Sequence, residues 1–299
     1  MRERNFRVQT TDGLELAVRV VGPEDADFIV CVHGYPDNST VWDRMVPLLA
    51  ERLRVVTYDV RGAGGSDVPQ TRAGYRLDQL AADVDAVIDA VAGGKSGEVG
   101  EVGALPGDVG APPGDVGPDD DPGTRVHLLG HDWGSIQVWH AVCGSGPASR
   151  AASFTSVSGP ELGAAGRWMR LMPLWPRLKQ AASSWYIAFF HLPRVPELLV
   201  SAPRVRRALG GARREDLING LEMYRANMLR ELGGARERTT SVPVQVLAPT
   251  GDLFVSVKLQ ASASLAAPEM RFEEVDGSHW VVRTDPAGVA SRVLDFASR

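Results

Sequence analysis

Long apolar runs are missing from this chain of 299 residues, and cysteine is scarce. No stretch approaches the roughly 20 consecutive apolar residues that a membrane-spanning helix needs. The opening residues are charged and have no apolar segment behind them, so we predict no secretory signal and expect a cytoplasmic protein. The two cysteines, Cys31 and Cys143, exclude a disulfide framework, and each lies in an apolar pattern typical of a small buried side chain.

Negative charge is concentrated in one segment, residues 93–123. This segment holds seven acidic residues and one lysine, while the whole chain has a net charge of −5. It is rich in glycine and proline, has no aromatic residue, and contains two near-copies of one stretch, at 104–110 and 111–117. Such a composition buries too little surface to offset the entropy of ordering the chain. We therefore predict a low-complexity surface insertion, and no nucleic-acid partner for the nearly neutral remainder.

Short β-branched runs alternate with helical patterns along most of the chain. Runs typical of strands occupy residues 18–21, 28–32, 55–58, 126–129, 154–158, 244–249 and 270–275. Between 77 and 91, apolar residues recur at helical spacing. The acidic residues of that stretch are predicted to lie on its polar face: Asp78, Asp83, Asp85 and Asp89. The alternation predicts an α/β fold, with a mostly parallel sheet and helices on both faces.

The alternation stops between residues 160 and 240, where the pattern is helical throughout. We predict a helical cap at 160–240, inserted between a first core part at 1–159 and a second at 241–299. The cap holds 14 lysines and arginines against seven acidic residues, and Trp168 and Trp175 lie among apolar residues. Basic and aromatic residues together suit an anionic interface, so weak membrane association is expected beside the simpler interpretation of a solvated basic face.

The most informative stretch is Gly-His-Asp-Trp-Gly at residues 130–134. It follows a strand pattern and precedes a helical one, which is the context of a nucleophile elbow. The turn in such an elbow strains its central residue, and glycines on both sides let strand and helix approach closely. The central residue here is Asp132, whose carboxylate can attack carbon and form an ester that water must later cleave.

Two further polar residues lie just after predicted strands. Asp252 follows the strand at 244–249, and His279 follows the next one. Ligands of α/β folds bind at such strand ends, and the chain order nucleophile, acid, histidine is that of a hydrolase triad. We predict that His279, oriented by Asp252, activates the water that cleaves an Asp132 ester. Glu161, just past an earlier strand, is the alternative acid.

The motif His-Gly-Tyr-Pro, which begins at His33, supplies the other half of the predicted site. The backbone N–H groups of Tyr35 and Trp133 are expected to converge on the oxyanion of the tetrahedral intermediate. Three residues are predicted to border the substrate: His33, Pro36 and Trp133. We also interpret His33 and His131 as structural, because backbone geometry determines the positions of their neighbours.

Together these motifs resemble those of an epoxide hydrolase of the α/β-hydrolase fold. The resemblance spans the chain except for 93–123 and rests on the motifs at 33–36, 59–66 and 130–134, on Asp252 and on His279. It implies that the elbow aspartate attacks a ring carbon while two cap tyrosines hold and protonate the epoxide oxygen. It implies no metal and no cofactor. The expected substrate is a small apolar epoxide, and the expected protein a monomer or homodimer.

Tyr186 and Tyr224 are the two tyrosines that the resemblance identifies. The first begins a segment similar to the family pattern Tyr-x-x-x-Phe-Gln-x-Pro, with His191 in place of the glutamine. The second lies in a segment similar to Asn-Trp-Tyr-Arg-Asn-Met, which here has one extra residue before the second asparagine. The alternative is a pair of amphipathic cap residues with their hydroxyls at the surface.

A haloalkane dehalogenase is the nearest alternative, since it shares the fold and the aspartate nucleophile. It holds the leaving halide with two N–H donors. Candidates for these donors are Trp133 together with Trp168, Trp175 or Trp185. A halide leaves as a stable anion whereas an opened epoxide must be protonated, so two cap tyrosines favour the epoxide. A non-catalytic binding module is a second alternative, but binding alone does not need Asp, Asp and His at three strand ends.

Overall fold

The computed structural model describes residues 2–92, 124–173, 175, 184–209, 212–233 and 237–299, and the predicted insertion at 93–123 lies outside them. The described strands form one sheet. In chain order they are β1 (Arg2–Gln9), β2 (Glu15–Gly22), β3 (Phe28–Val32), β4 (Arg54–Tyr58), β5 (Val126–His131), β6 (Ser153–Val157), β7 (Val244–Pro249) and β8 (Arg271–Val275). Each run predicted as a strand lies in or overlaps one of these, while β1 was not predicted.

The sheet is mostly parallel. Its spatial order is β1-β2-β4-β3-β5-β6-β7-β8, with parallel pairing from β4 to β8 and antiparallel pairing at β1 and β2. In the middle of the sheet, Val30 of β3 lies opposite Val56 on one side and Leu128 on the other. A parallel strand covered on both faces needs apolar residues at every position, and all five residues of β3 are buried. The predicted sheet is confirmed.

Helices cover both faces of this sheet. The helices of the described residues are α1 (Val46–Leu49), α2 (Leu77–Ala92), α3 (Trp133–Val142), α4 (Leu162–Leu171), α5 (Trp185–Phe190), α6 (Val195–Ser201), α7 (Pro203–Ala208), α8 (Arg214–Gly233), α9 (Val257–Ala261), α10 (Val281–Thr284) and α11 (Pro286–Ala297). Val30 belongs to the apolar cluster of α2 and α3, whereas its neighbour Cys31 belongs to the cluster of α1 and α11. Alternate side chains of one strand therefore supply two separate core layers.

One acidic residue of α2 is not where the pattern predicted. Asp83 was expected on the polar face, but it is only 1% exposed. Its carboxylate accepts two hydrogen bonds from the Arg61 guanidinium, each 2.6 Å long. Arg61 is itself buried and also pairs with Asp12. The prediction for Asp83 is wrong because a buried carboxylate is tolerated when it is paired, and the pairing residue comes from another part of the chain.

Helices α4 to α8 follow one another between β6 and β7, in the segment predicted to be a cap. The first and last of them pack closely, since a Cβ on Gly166 of α4 would lie 2.6 Å from the carbonyl oxygen of Leu232 in α8. Within the described part of the chain, no helix is long and apolar enough to cross a membrane. The division of the chain at 160 and 240 into core and cap stays a prediction.

Candidate active site

Asp132 occupies the sharp turn between β5 and α3. Its backbone has φ 51° and ψ −123°, a conformation that few residues other than glycine adopt. The flanking glycines are needed because a Cβ on Gly130 would lie 2.5 Å from the Cα of Ser135, and one on Gly134 would overlap the Val32 carbonyl. The predicted sequence of strand, tight turn and helix is present, and it holds Asp132 at the carboxyl end of β5.

The two carboxylate oxygens of Asp132 have different partners. Oδ2 accepts a 2.8 Å hydrogen bond from the backbone N–H of Tyr35. Oδ1 lies 3.5 Å from Nε2 of His279. The structure thus brings three of the predicted site residues together and leaves Oδ1 as the oxygen that faces the histidine.

Gly34 determines the space beside Oδ2. A Cβ at this position would lie 2.5 Å from both Oδ2 of Asp132 and the backbone nitrogen of Trp133. These two atoms therefore border the same small space, and a side chain at position 34 would have to move them. Trp133 is the first residue of α3, where backbone N–H groups have no partner within the helix. Of the two predicted donors, the Tyr35 N–H is hydrogen-bonded to Oδ2, and the Trp133 nitrogen borders the same space as Oδ2.

His279 and Asp252 form the other predicted pair. Nδ1 of His279 donates a 2.9 Å hydrogen bond to Oδ2 of Asp252. The second oxygen of Asp252 accepts hydrogen bonds from the backbone N–H groups of Phe254 and Val255, at 2.8 and 2.9 Å. Burial disfavours the ionised form, yet the hydrogen bond and charge of His279 hold the pKa of Asp252 below its usual value. Asp252 is therefore a carboxylate that determines the orientation and tautomer of the imidazole.

His279 lies between two carboxylates, and this position changes its protonation. Burial by itself would lower its pKa, but hydrogen bonds and charge interactions with Asp132 and Asp252 outweigh burial and raise the pKa to about 10. At neutral pH both ring nitrogens of His279 therefore carry a proton, and the ring is positively charged. Loss of the negative charge on Asp132 would remove one of the two groups that keep it protonated.

Tyr186 in α5 and Tyr224 in α8 line the same cavity as Asp132 and His279. This cavity, lobe A, has an empty volume of about 690 Å³, which includes its opening to solvent. The two tyrosine ring centroids are 6.1 Å apart. Burial, and next the charge of Asp132, raise the pKa of both hydroxyls, so each keeps its proton and can donate it in a hydrogen bond. The structure brings both tyrosines to the aspartate.

Of the three residues predicted to border the substrate, two line a cavity and one does not. Pro36 lines lobe A, and Trp133 lines an adjacent cavity of about 530 Å³, lobe B. His33 lines neither lobe, because its Nε2 accepts from the Val60 N–H at 2.9 Å and its Nδ1 contacts the Gly34 carbonyl oxygen at 3.0 Å. The predicted contact between His33 and the substrate is therefore corrected: the residue supports two loop backbones.

Two other polar residues near the site have structural places. The side chain of Glu161 caps α4 by accepting from the Ala164 N–H, so Asp252 is the acid beside the histidine. His131 is fully buried, and its Nε2 donates a 2.8 Å hydrogen bond to the carbonyl oxygen of His279. It supports the loop that carries the histidine.

Phe254 and Trp280 border lobe A but were not among the predicted site residues. Their ring centroids lie 5.1 and 5.0 Å from that of His279. The indole nitrogen of Trp280 donates a 3.2 Å hydrogen bond to the buried Asp37, which also pairs with Arg283. Both aromatic residues lie within two positions of Asp252 or His279 in the sequence, and this adjacency is the signal that could have identified them.

Comparisons with known proteins agree with this architecture. The chain matches the alpha/beta hydrolase family over residues 29–292. A Mycobacterium tuberculosis protein named "Probable oxidoreductase EphD" is 32% identical over 317 residues, covering 97% of this chain and 49% of that protein. The chain thus spans about half the length of this relative. Epoxide hydrolase A of the same species is 24% identical over 348 residues, covering 97% of this chain and 96% of the relative.

Solved structures show the same fold. A variant epoxide hydrolase from Bacillus megaterium, bound to its diol product, has a TM-score of 0.74 at 16% identity and covers 98% of this chain and 100% of its own. Epoxide hydrolase A from Mycobacterium thermoresistibile has a TM-score of 0.70 at 21% identity, with 99% and 98% covered. The predicted fold and the predicted similarity to epoxide hydrolases are confirmed. Because the family match extends from β3 into α11, the chain belongs to the alpha/beta hydrolase family.

Proposed function

We propose that this protein hydrolyses an epoxide to a diol through a covalent ester on Asp132. The observation that carries the proposal is the unequal environment of the two carboxylate oxygens: Oδ2 accepts from the Tyr35 N–H, and Oδ1 faces His279. Oδ2 is thus held by a backbone donor at hydrogen-bond distance, and we assign the attack to Oδ1, the oxygen beside His279. Tyr186 and Tyr224, which keep their protons, line the same cavity.

In the first step, Oδ1 of Asp132 attacks a ring carbon, and the ring C–O bond breaks as the ester C–O bond forms. The ring oxygen becomes an alkoxide, which takes a proton from Tyr186 or Tyr224. The tyrosinate then regains a proton by net transfer from His279, which is protonated in the free enzyme. The ester carbonyl is Oδ2, beside the Tyr35 N–H.

In the second step, the now neutral His279 takes a proton from water, and the hydroxide attacks the ester carbon. The N–H groups of Tyr35 and Trp133 stabilise the oxyanion on Oδ2. The intermediate collapses by breaking the bond between the ester carbon and Oδ1, and the remaining proton of the added hydroxyl group passes to the departing alkoxide. The diol therefore leaves with the original aspartate oxygen, and the carboxylate keeps the oxygen from water. His279 ends protonated, as it began, and the net reaction consumes one water.

The dehalogenase alternative is less well supported because the indole donors near the site are engaged. The indole of Trp280 donates to Asp37, and Trp133 is hydrogen-bonded to Tyr224. The other predicted donors are absent from the described linings of both lobes: Trp168, Trp175 and Trp185. A halide also leaves as a stable anion and needs no proton from the two tyrosines, whereas the alkoxide of an opened epoxide does. The non-catalytic alternative leaves the contacts of His279 with two carboxylates unexplained.

A single-turnover experiment in heavy-oxygen water tests the proposal, with the enzyme in excess over styrene oxide. We expect the diol of the first turnover to contain no heavy oxygen, and the peptide that contains Asp132 to gain it. Mass spectrometry of the diol and the peptide measures both, and Asp132→Asn is the control that cannot form the normal ester. Heavy oxygen entering the diol directly would mean that water attacks the epoxide and would overturn the covalent mechanism. A parallel assay for halide release from bromobutane tests the dehalogenase.

Weak membrane association forms a separate part of the proposal. At the end of α4, Leu171 is 79% exposed and Trp175, a short distance along the chain, is 80% exposed. The neighbouring Arg170 is also exposed. Exposed apolar side chains beside a cation suit the surface of an anionic bilayer. A cytoplasmic location and a monomeric or dimeric state stay predictions.

A further inference from the structure

The proposed reaction site lies at the junction of two cavities. Lobe A and lobe B share four lining residues: Asp132, Tyr186, Tyr224 and Phe254. The aspartate and the two tyrosines are thus at the boundary, and each lobe extends from them into a different part of the protein. A substrate whose epoxide ring lies against Asp132 has room on two sides.

The two lobes are lined by different sets of apolar side chains. Lobe A has aromatic and aliphatic residues of its own: Phe190, Val200, Val205, Leu209 and Trp280. Lobe B has aliphatic and sulfur-containing ones: Ile136, Leu162, Met169, Ile187, Met228 and Leu232. Polar side chains that line one lobe alone are few: Tyr35 and His279 in lobe A, both beside Asp132, and Ser184 in lobe B. Both lobes therefore suit hydrocarbon substituents.

Charge limits the substrate further. Among the described residues that line the two lobes, none is lysine or arginine. The charged side chains there are Asp132, which lines both lobes, and His279, which lines lobe A beside it. A carboxylate at the far end of a chain would enter an apolar space without a partner, which is costly. The lobes thus favour an uncharged substrate.

We infer that the substrate is a neutral epoxide with an apolar substituent on each ring carbon, one substituent in lobe A and the other in lobe B. This inference rests on the proposed epoxide hydrolysis and adds the substrate class. A terminal epoxide of the same composition would leave one lobe without hydrocarbon and would lose the corresponding burial.

Three neutral epoxides and three variants test it. The first epoxide is dibutyl oxirane, with one butyl group on each ring carbon. The second is its isomer octyl oxirane, and the third is methyl oxirane, a small reference that fills neither lobe. Ile187→Trp places bulk in lobe B, and Val205→Trp places the same bulk in lobe A; both positions are half-buried and each lines one lobe. Ala188→Trp is the matched control, since Ala188 neighbours Ile187 on α5 but is exposed.

We expect each lobe variant to lower kcat/KM for dibutyl oxirane by about tenfold, the loss expected when roughly two methylene groups are no longer buried. For methyl oxirane, the loss in each lobe variant should be clearly smaller than for dibutyl oxirane, because the small substrate occupies the junction alone. Octyl oxirane should respond strongly to one lobe variant and weakly to the other. Ala188→Trp should behave as wild type with all three.

If dibutyl oxirane responds to only one lobe variant, or to neither, the two-lobe assignment is overturned while epoxide hydrolysis stands. If the wild type opens no epoxide, the proposed function fails. Calorimetric binding of the symmetrical dibutyl diol to the wild type and the variants then tests the two-lobe site without catalysis. A weaker affinity in both lobe variants, with Ala188→Trp unchanged, supports the two-lobe site. Equal affinity in all variants overturns it.

Discussion

Nε2 of His279 lies 3.5 Å from Oδ1 of Asp132, the oxygen to which we assign the attack on the substrate. At this distance, the negative charge of Asp132 affects how readily His279 loses its proton. With the carboxylate present, the pKa of His279 is raised to about 10. An ester at Asp132 carries no charge, so its formation is expected to lower that pKa.

We expect the rate of ester hydrolysis to rise with pH and to level off well below pH 10, since only deprotonated His279 can accept a proton from water and the ester lowers its pKa. Single-turnover fluorescence at a series of pH values measures this rate separately from ester formation. His279→Gln is the control and should accumulate the ester, seen as an increase in protein mass. A hydrolysis rate that still titrates near pH 10 would contradict the coupling.

Gly34→Ala should impair catalysis more than folding. The added methyl would lie 2.5 Å from Oδ2 of Asp132 and from the Trp133 nitrogen, so the predicted oxyanion donors must move. We expect kcat to fall by about 10²- to 10³-fold, the effect of losing one such donor. Gly233→Ala is the control, because nothing lies within 4 Å of a Cβ there. Equal activities of the two variants would remove the predicted oxyanion site.

Replacing Tyr186 or Tyr224 should slow ester formation and leave ester hydrolysis unchanged. Tyr186→Phe and Tyr224→Phe each remove a donor that lines lobe A with Asp132, and we expect about a 10²-fold slower first step. Stopped-flow tryptophan fluorescence separates the two steps. Tyr75→Phe is the control, since Tyr75 is buried and its hydroxyl has no hydrogen-bond partner among the described residues. Normal ester formation in both variants would remove the support that the two tyrosines give to an epoxide substrate.

The buried pair of Arg61 and Asp83 should matter for stability. Burial already raises the pKa of Asp83 to about 6, against the hydrogen bonds and charge of Arg61 that lower it. Arg61→Met would leave the carboxylate buried without this partner, at a cost of about 3 to 5 kcal/mol in the free energy of unfolding. Adding Asp83→Leu to that variant should recover part of the loss, because the charge is gone. Urea denaturation measures both, and equal losses in the single and double variants would argue against the pairing.

Membrane association should depend on the exposed end of α4. We expect the protein to sediment with phosphatidylglycerol vesicles more than with phosphatidylcholine vesicles, and Leu171→Ser to weaken this binding. Leu253→Ser is a matched control, since Leu253 is 85% exposed and Leu171 79%, but Leu253 lies outside the predicted cap. Equal sedimentation with both lipids would exclude the proposed association.

Much of the site could be predicted because its residues follow parallel strands. Asp132, Asp252 and His279 each come after such a strand, and the carboxyl ends of parallel strands meet at one edge of the sheet. Strand β1 was missed because it is an edge strand rich in charged residues, which lacks the apolar signal of a central strand. Asp83 was misplaced because its partner is distant in the sequence.

The sequence by itself determined the backbone at position 132, since glycines at 130 and 134 allow a tight turn and their effect is local. It also determined the two-sided core, because a run of apolar residues in a strand has to be covered on both faces. Only the tertiary structure decided which oxygen of Asp132 meets the N–H of Tyr35, 97 positions away, and which meets His279. It also decided that two lobes meet at that carboxylate, because a cavity is what remains between side chains from distant parts of the chain.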